Sequence, residues 1–121
     1  MREIYLDRSG TLWVGTDGGL DQFEPDSGTF LKNWGLGISE VVWVITEDRA
    51  GVLWVGTLTD LYSFDRESGI FAPHERPGWS SIAVRSLFAD ERGLLWIGSQ
   101  GKGLYRWDGT QFTSFQPQSI D

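Results

Sequence analysis

The segment Thr-Leu-Trp-Val-Gly-Thr at residues 11–16 returns as Val-Leu-Trp-Val-Gly-Thr at 52–57 and as Leu-Leu-Trp-Ile-Gly-Ser at 94–99. The central tryptophans, Trp13, Trp54 and Trp96, stand 41 and 42 residues apart. Their surroundings repeat as well. An aspartate lies six residues before each tryptophan (Asp7, Asp48, Asp90) and a glycine three before (Gly10, Gly51, Gly93). Downstream come Leu20, Leu61 and Leu104, each followed three residues later by an aromatic: Phe23, Phe64 and Trp107. Each unit then closes on a phenylalanine, Phe30, Phe71 or Phe112. Matched offsets at such a period mark a repeat architecture, in which a unit buries its apolar face only against its neighbours.

Each unit reads as four short strands. The first is an apolar run ahead of the aspartate, clearest at 41–45 and 84–88. The Asp-x-x-Gly step predicts a tight turn, the aspartate bonding local backbone and the glycine taking a positive φ. The second strand carries the tryptophan, and its near-continuous apolar character predicts burial on both faces. The third alternates polar and apolar residues, as in Leu20, Asp21, Gln22 and Phe23. Hairpin signals follow at Asp26-Ser-Gly28, Glu67-Ser-Gly69 and Asp108-Gly109, and a fourth strand begins near each closing phenylalanine. Four antiparallel strands per repeat of about 40–45 residues is the blade of a β-propeller. The predicted fold is therefore all-β: three four-stranded antiparallel sheets forming a partial propeller or one unit of an oligomeric ring. The expected blades span about residues 1–34, 41–75 and 83–117, joined by linkers at 32–40 and 72–81.

Composition narrows the function. A formal net charge of -7 would repel a phosphate backbone and an anionic membrane surface, so nucleic acid is not an expected partner. With no cysteine, disulfides, thiolate metal sites and thiol nucleophiles are excluded. No apolar run approaches the roughly 18 residues of a membrane span, and no direct membrane insertion is expected. Met1, Arg2 and Glu3 turn polar at once, which is unlike a signal peptide; a targeting segment is expected outside this chain.

The units resemble the two-component regulator propeller repeat. Asp7, Gly10, Trp13, Gly15, Thr16, Gly18, Gly19, Leu20 and Phe23 follow that family's pattern almost letter for letter, and the likeness runs from about Ile4 to Phe115. The second unit departs at Thr59 and Asp60, which replace the glycine pair; the third has one extra residue in that loop and a shorter hairpin. The resemblance implies the periplasmic or extracytoplasmic sensor region of a bacterial regulator, such as a hybrid histidine kinase. It also implies perception of a ligand, in several members an oligosaccharide breakdown product. Kinase, receiver and DNA-binding parts are absent from this stretch.

Side chains that suggest chemistry each carry a structural reading too. Trp13, Trp54 and Trp96 sit mid-strand in an apolar motif and are expected in the blade core, not stacked on a sugar. Trp34 and Trp79 lie in or beside the linkers, on the face where propellers usually bind, and are candidate ligand contacts with packing as the competing reading. The loops after the tryptophan strands hold Asp17, Thr59, Asp60, Gln100 and Lys102. These differ between units while the surrounding motif does not, which is how a scaffold builds a site; simple drift of unpacked loops is the alternative. Asp7, Asp48 and Asp90 lack the alternating oxygen ligands of a calcium loop and are assigned to turns. His74 is the only histidine, so no multi-histidine zinc site is expected and no nucleophile motif supports a triad. The glycines at 101 and 103 join two strands and open no helix, which excludes a phosphate loop. No metal, cofactor or catalytic group is predicted.

Two functions remain: a sensory ligand-binding segment, or a structural or protein-interaction segment that completes a ring by self-association. A propeller lyase or lactonase is weaker, because a single histidine leaves little to converge on the axis. Three blades fall short of the roughly four to eight of known rings. The expected partners are therefore further blades, of the same chain or of a second copy.

Overall fold

The computed structural model describes residues 3–34, 41–58, 60–73, 83–100 and 103–115. The first sheet holds β1 (Glu3–Leu6), β2 (Leu12–Thr16), β3 (Gly19–Glu24) and β4 (Thr29–Trp34). The second holds β5 (Val42–Glu47), β6 (Leu53–Thr57), β7 (Leu61–Asp65) and β8 (Ile70–Pro73). The third holds β9 (Val84–Ala89), β10 (Leu95–Ser99), β11 (Leu104–Trp107) and β12 (Phe112–Phe115). Every sheet is an antiparallel meander in chain order. The inner strands β1, β5 and β9 pack side by side, and β2 and β6 pack on β5 and β9 of the following sheet. These are three propeller blades, as the repeat predicts.

The core lies between blades. One cluster joins Trp13 and Leu20 of the first blade to Val42, Ile45, Leu53, Val55, Tyr62 and Phe64 of the second. The other joins Trp54 and Leu61 of the second to Val84, Leu95, Ile97 and Tyr105 of the third. Side chains alternate across a strand, so the tryptophan faces the next blade while the residues on either side of it face the previous one. Strand β6 has a blade on each side and is buried at all five positions. The tryptophans meet the following blade edge-on: Trp13 lies 5.4 Å from Phe64, and Trp54 lies 6.1 Å from Trp107.

Each remaining letter of the motif has a physical task. Gly56 sits where a β-carbon would come within 2.6 Å of Val44 and Val84, so the inner strand of the third blade approaches only because there is no side chain. Thr57 closes the next loop, its hydroxyl donating to the Asp60 carbonyl at 3.1 Å and accepting from the Asp60 N–H at 3.0 Å. Ser99 does the same with the Gly103 carbonyl at 2.7 Å.

The aspartate does more than the turn requires. In the first blade Asp7 Oδ1 accepts from the N–H groups of Ser9 and Thr11 at 3.0 Å, the expected turn bonding. Its Oδ2 accepts from the Trp13 indole at 2.7 Å. Trp54 donates to Asp48 at 2.8 Å and Trp96 to Asp90 at 2.9 Å. The six-residue spacing thus gives each indole N–H its acceptor. Glycines at the fourth turn position, Gly10, Gly51 and Gly93, have φ of 93°, 89° and 87°, a region where a β-carbon is strained.

Polar clasps also tie neighbouring turns. Arg8 donates to the carbonyls of Asp48 at 2.9 Å and Arg49 at 3.2 Å in the next blade. Arg49, one repeat later, donates to the Glu91 carbonyl. Between the first two blades Glu47 accepts from the Arg8 N–H at 3.0 Å and pairs with Arg66 at 2.7 Å.

The outer flanks lack this cover. Phe88 on the third blade is 64% exposed, and Trp96 beside it is half-buried. Among the described residues Trp96 meets its own sheet, with Phe115 at 6.0 Å and the Arg106 guanidinium at 5.7 Å. On the first blade Ile4 and Leu6 are 53% and 60% exposed, although Val14 on the same side of the sheet is buried.

Two predictions follow from this packing. Gly56→Ala should destabilise the fold by about 1–3 kcal/mol through overpacking, whereas Gly18→Ala, with open space around it, should change stability by less than about 0.5 kcal/mol. Urea titration of the two variants checks this contrast. The second concerns acid. Burial would raise the Asp7 carboxyl, but bonds from Trp13, Ser9 and Thr11 and the Arg66 charge outweigh it and hold its pKa below the ordinary 3.8. A lowered folded-state pKa contributes stability that is present above the unfolded value and lost as pH falls through the folded one. Stability should therefore be flat at neutral pH and decline below about pH 4, and Asp7→Asn should be less stable at neutral pH with a shallower acid decline. Thermal melts across pH give the answer.

Candidate functional site

The start of each inner strand and the loop after each tryptophan strand lie at one end of the blades. Two inner strands carry the same irregularity there. In the second blade Val42 pairs with Thr57 and Val44 with Gly56, which leaves Trp43 as an extra residue. In the third, Val84 pairs with Ser99 and Ser86 with Gly98, which leaves Arg85 extra. A bulge of this kind frees a residue from the ladder and re-aims its side chain. The two re-aimed side chains meet: the Arg85 guanidinium carbon lies 3.7 Å from the centre of the Trp43 ring. Gln100, on the loop after β10, accepts from Arg85 Nε at 2.9 Å, and its own N–H donates to the Ala83 carbonyl at 3.0 Å.

The result is a small platform across the junction of two blades. It offers a guanidinium stacked on an indole and fixed by one amide, with the outward nitrogens of Arg85, which is exposed. Such a surface stacks on a ring and donates paired hydrogen bonds to hydroxyl or carboxylate oxygens. None of its three side chains is a nucleophile.

Of the loop residues expected from the sequence, Gln100 belongs to this platform. Asp17 is exposed in the β2–β3 turn, and Asp60 caps its own loop by accepting from the Leu61 N–H at 2.8 Å. Trp34 ends β4, its backbone paired with Leu20. Thr59, Trp79 and Lys102 lie outside the described residues, as does His74. Trp43 and Arg85 were not expected. Each stands 11 residues before its repeat tryptophan, the first-blade counterpart being Arg2, so the repeat aligns them; the bulge that turns them is a property of strand register.

At the opposite end a cavity of about 430 Å³ is lined by Arg8, Glu47, Arg49, Ala89, Asp90 and Glu91. Its charged groups are largely engaged with one another and with the turns. Among the described residues no group of three or more His, Asp or Glu converges on a metal position, and no helix is long and apolar enough to cross a membrane.

Comparison with known proteins agrees with this architecture. The model of the two component regulator propeller family matches residues 1–18, 36–59 and 78–101, more than half of the chain. The chain belongs to that family. Each matched stretch covers an inner strand, an Asp-x-x-Gly turn and a tryptophan strand, the parts that carry the inter-blade core. No curated protein matches the chain at a significant level.

Three solved structures with the same fold come from B. thetaiotaomicron. The extracellular domain of BT4673, assigned as a hybrid two component system, superposes with a TM-score of 0.76 at 25% identity, covering 98% of this chain and 16% of that one. A second structure of the BT4673 extracellular domain, there assigned as a one component system, gives 0.83 at 24% identity, covering 99% and 17%. The extracellular domain of BT3049, assigned as a hybrid two component system, gives 0.79 at 26% identity, covering 97% and 16%. The chain thus spans about one sixth of the solved chains it matches.

Proposed function

We propose that this chain is a non-catalytic segment of the extracellular sensor propeller of a bacterial two-component regulator, and that it contributes a saccharide-binding surface at the loop end of its blades. Membership of the regulator propeller family and likeness to the extracellular domains of BT4673 and BT3049 support the sensor role and the extracytoplasmic location. The platform of Trp43, Arg85 and Gln100 carries the ligand reading, because a guanidinium stacked on an indole and fixed by an amide presents its outer nitrogens to the hydroxyl or carboxylate groups of a sugar. Asp17 and Asp60, on the loops after β2 and β6, stand at the same end and extend this proposed surface; Trp34, Thr59, Trp79 and Lys102 are proposed as ligand contacts from their place in the sequence alone. Each blade, about 1–34, 41–75 and 83–117, acts as one unit of a larger ring.

Titration with neutral and uronate-containing oligosaccharides, followed by calorimetry, tests the reading. Binding should be saturable, and Trp43→Ala and Arg85→Ala should each weaken it by roughly tenfold or more. Arg85→Ala should cost no more than about 1 kcal/mol of stability, the value of an exposed cation–π contact. Saturable binding that both variants leave unchanged would remove the platform from the site; no binding by any oligosaccharide would remove the saccharide class.

A second role, ring completion, is favoured by the two open flanks. The Phe88 and Trp96 side of the third blade matches in kind the Trp13 side of the first, which the second blade covers. The Ile4 and Leu6 side of the first blade matches the side that Leu53 and Val55 present. Light scattering across a dilution series should show a closed multiple, such as a two-fold dimer of six blades, if copies close the ring. A monomer would assign the flanks to further blades of a longer chain.

A further inference from the structure

The three repeat aspartates share an indole and a turn but differ in one partner. Asp7 Oδ2 also meets Arg66 Nε at 3.4 Å. Arg66 reaches across from the β7–β8 turn of the next blade, donating from one terminal nitrogen to the Gly51 carbonyl at 2.8 Å and from the other to Glu47 at 2.7 Å. Asp90 Oδ2 meets Arg92 at 3.0 Å, a guanidinium from its own turn. Asp48 has neither. The position of Arg92 is held in the second blade by Ala50, and the position of Arg66 is held in the third blade by Gly109. Both sources of a guanidinium are therefore missing at one junction.

A cavity of about 360 Å³ opens there, between Asp48, Ala50, Gly93, Trp107, Asp108 and Gly109. Its wall is the counterpart of the Arg66 slot except at Glu47, the carboxylate that Arg66 meets at 2.7 Å, whose place is taken in the third blade by Ala89. Asp48 stands for Asp7, Gly93 for Gly51 with its accepting carbonyl, and Trp107 for Phe64. The aromatic is now an indole, the better partner for a cation. Asp108 adds a carboxylate whose other oxygen is taken up by the N–H groups of Thr110 and Gln111. Arg49 also borders the cavity, but its guanidinium donates to the Glu91 carbonyl of the neighbouring turn. Arg106 acts on the Asp108 carboxyl by its charge, which leaves Asp48 as the carboxylate of the cavity that meets no arginine of its own turn or of the β11–β12 turn.

We propose that this slot binds an alkylguanidinium group brought by a ligand or partner, seated on Asp48 Oδ2 and the Gly93 carbonyl and lying against Trp107. The chain brings its own guanidinium within ion-pair distance of the same aspartate oxygen in the other two blades, Arg66 Nε at 3.4 Å from Asp7 and Arg92 at 3.0 Å from Asp90. The slot lies at the opposite end of the blades from the Trp43 platform and does not depend on the saccharide reading.

The test uses N-butylguanidinium, which reproduces an arginine side chain, and its neutral isostere N-butylurea, with the indole N–H resonances of Trp54 and Trp107 as reporters in the 121-residue chain. The guanidinium should shift both resonances saturably, and the urea should not. Asp48→Asn should weaken binding by roughly tenfold or more. Because Asp48 also holds its turn, Ala50→Arg provides a second variant; it copies Arg92, places a guanidinium on Asp48 from within, and should abolish binding while raising the melting temperature. Equal shifts from N-butylurea, unchanged binding in Ala50→Arg, or no saturable shift in the wild-type chain would each overturn the proposal. Tighter binding of N-acetyl-arginine amide than of free L-arginine assigns the group to a polypeptide partner, and the reverse order assigns it to the free amino acid.

Discussion

The buried apolar side chains of this protein lie between sheets, not within them, and the rest of the structure follows from that. A single four-stranded meander has two faces and nothing beneath either, so a blade becomes stable only when a neighbour covers it. The tryptophan is the largest contribution to each junction, and it brings a polar indole N–H into a dry space. An aspartate in the adjoining turn accepts that N–H, so the residue that shapes the turn also satisfies the core. Burial of Trp13 and the geometry of its Asp-x-x-Gly turn are therefore one requirement, met by one carboxylate.

Because each junction is assembled from two blades, identical motifs acquire different surroundings. Trp13 and Trp54 are covered by the blade that follows, whereas Trp96 is half-buried against its own sheet. Asp7 is sealed by Arg66 from the next blade, and Asp48, with Gly109 opposite, borders an open slot. The loop end shows the same principle. Trp43 and Arg85 form a platform only because bulges in two separate strands turn their side chains towards one junction. Variation at junctions, on a repeated frame, gives the two ends of the blades their separate chemistries.

Much of the fold was legible in the residues. Three copies of a tryptophan strand with a fixed aspartate and glycine define the strand count, the turns and the repeat, because these depend on short-range spacing. The site was legible only in part. Gln100 was found through the contrast of its loop with the other two, whereas Trp43 and Arg85 sit in runs that read as ordinary inner strand. The acceptor role of Asp7, Asp48 and Asp90 was also hidden, since turn formation accounts for the aspartate without any reference to the indole.

The sequence by itself determined the blades: alternation sets which face each side chain takes, and Asp-x-x-Gly and the hairpin glycines set where the chain reverses. Only the tertiary structure decided what each face meets. The register slips at Trp43 and Arg85, the cover over Trp13 but not Trp96, and the slot left by Gly109 all depend on pairing and packing between residues far apart in the chain. Local propensity carries no information about such contacts, because the free energy that selects them arises only when a second blade is in place.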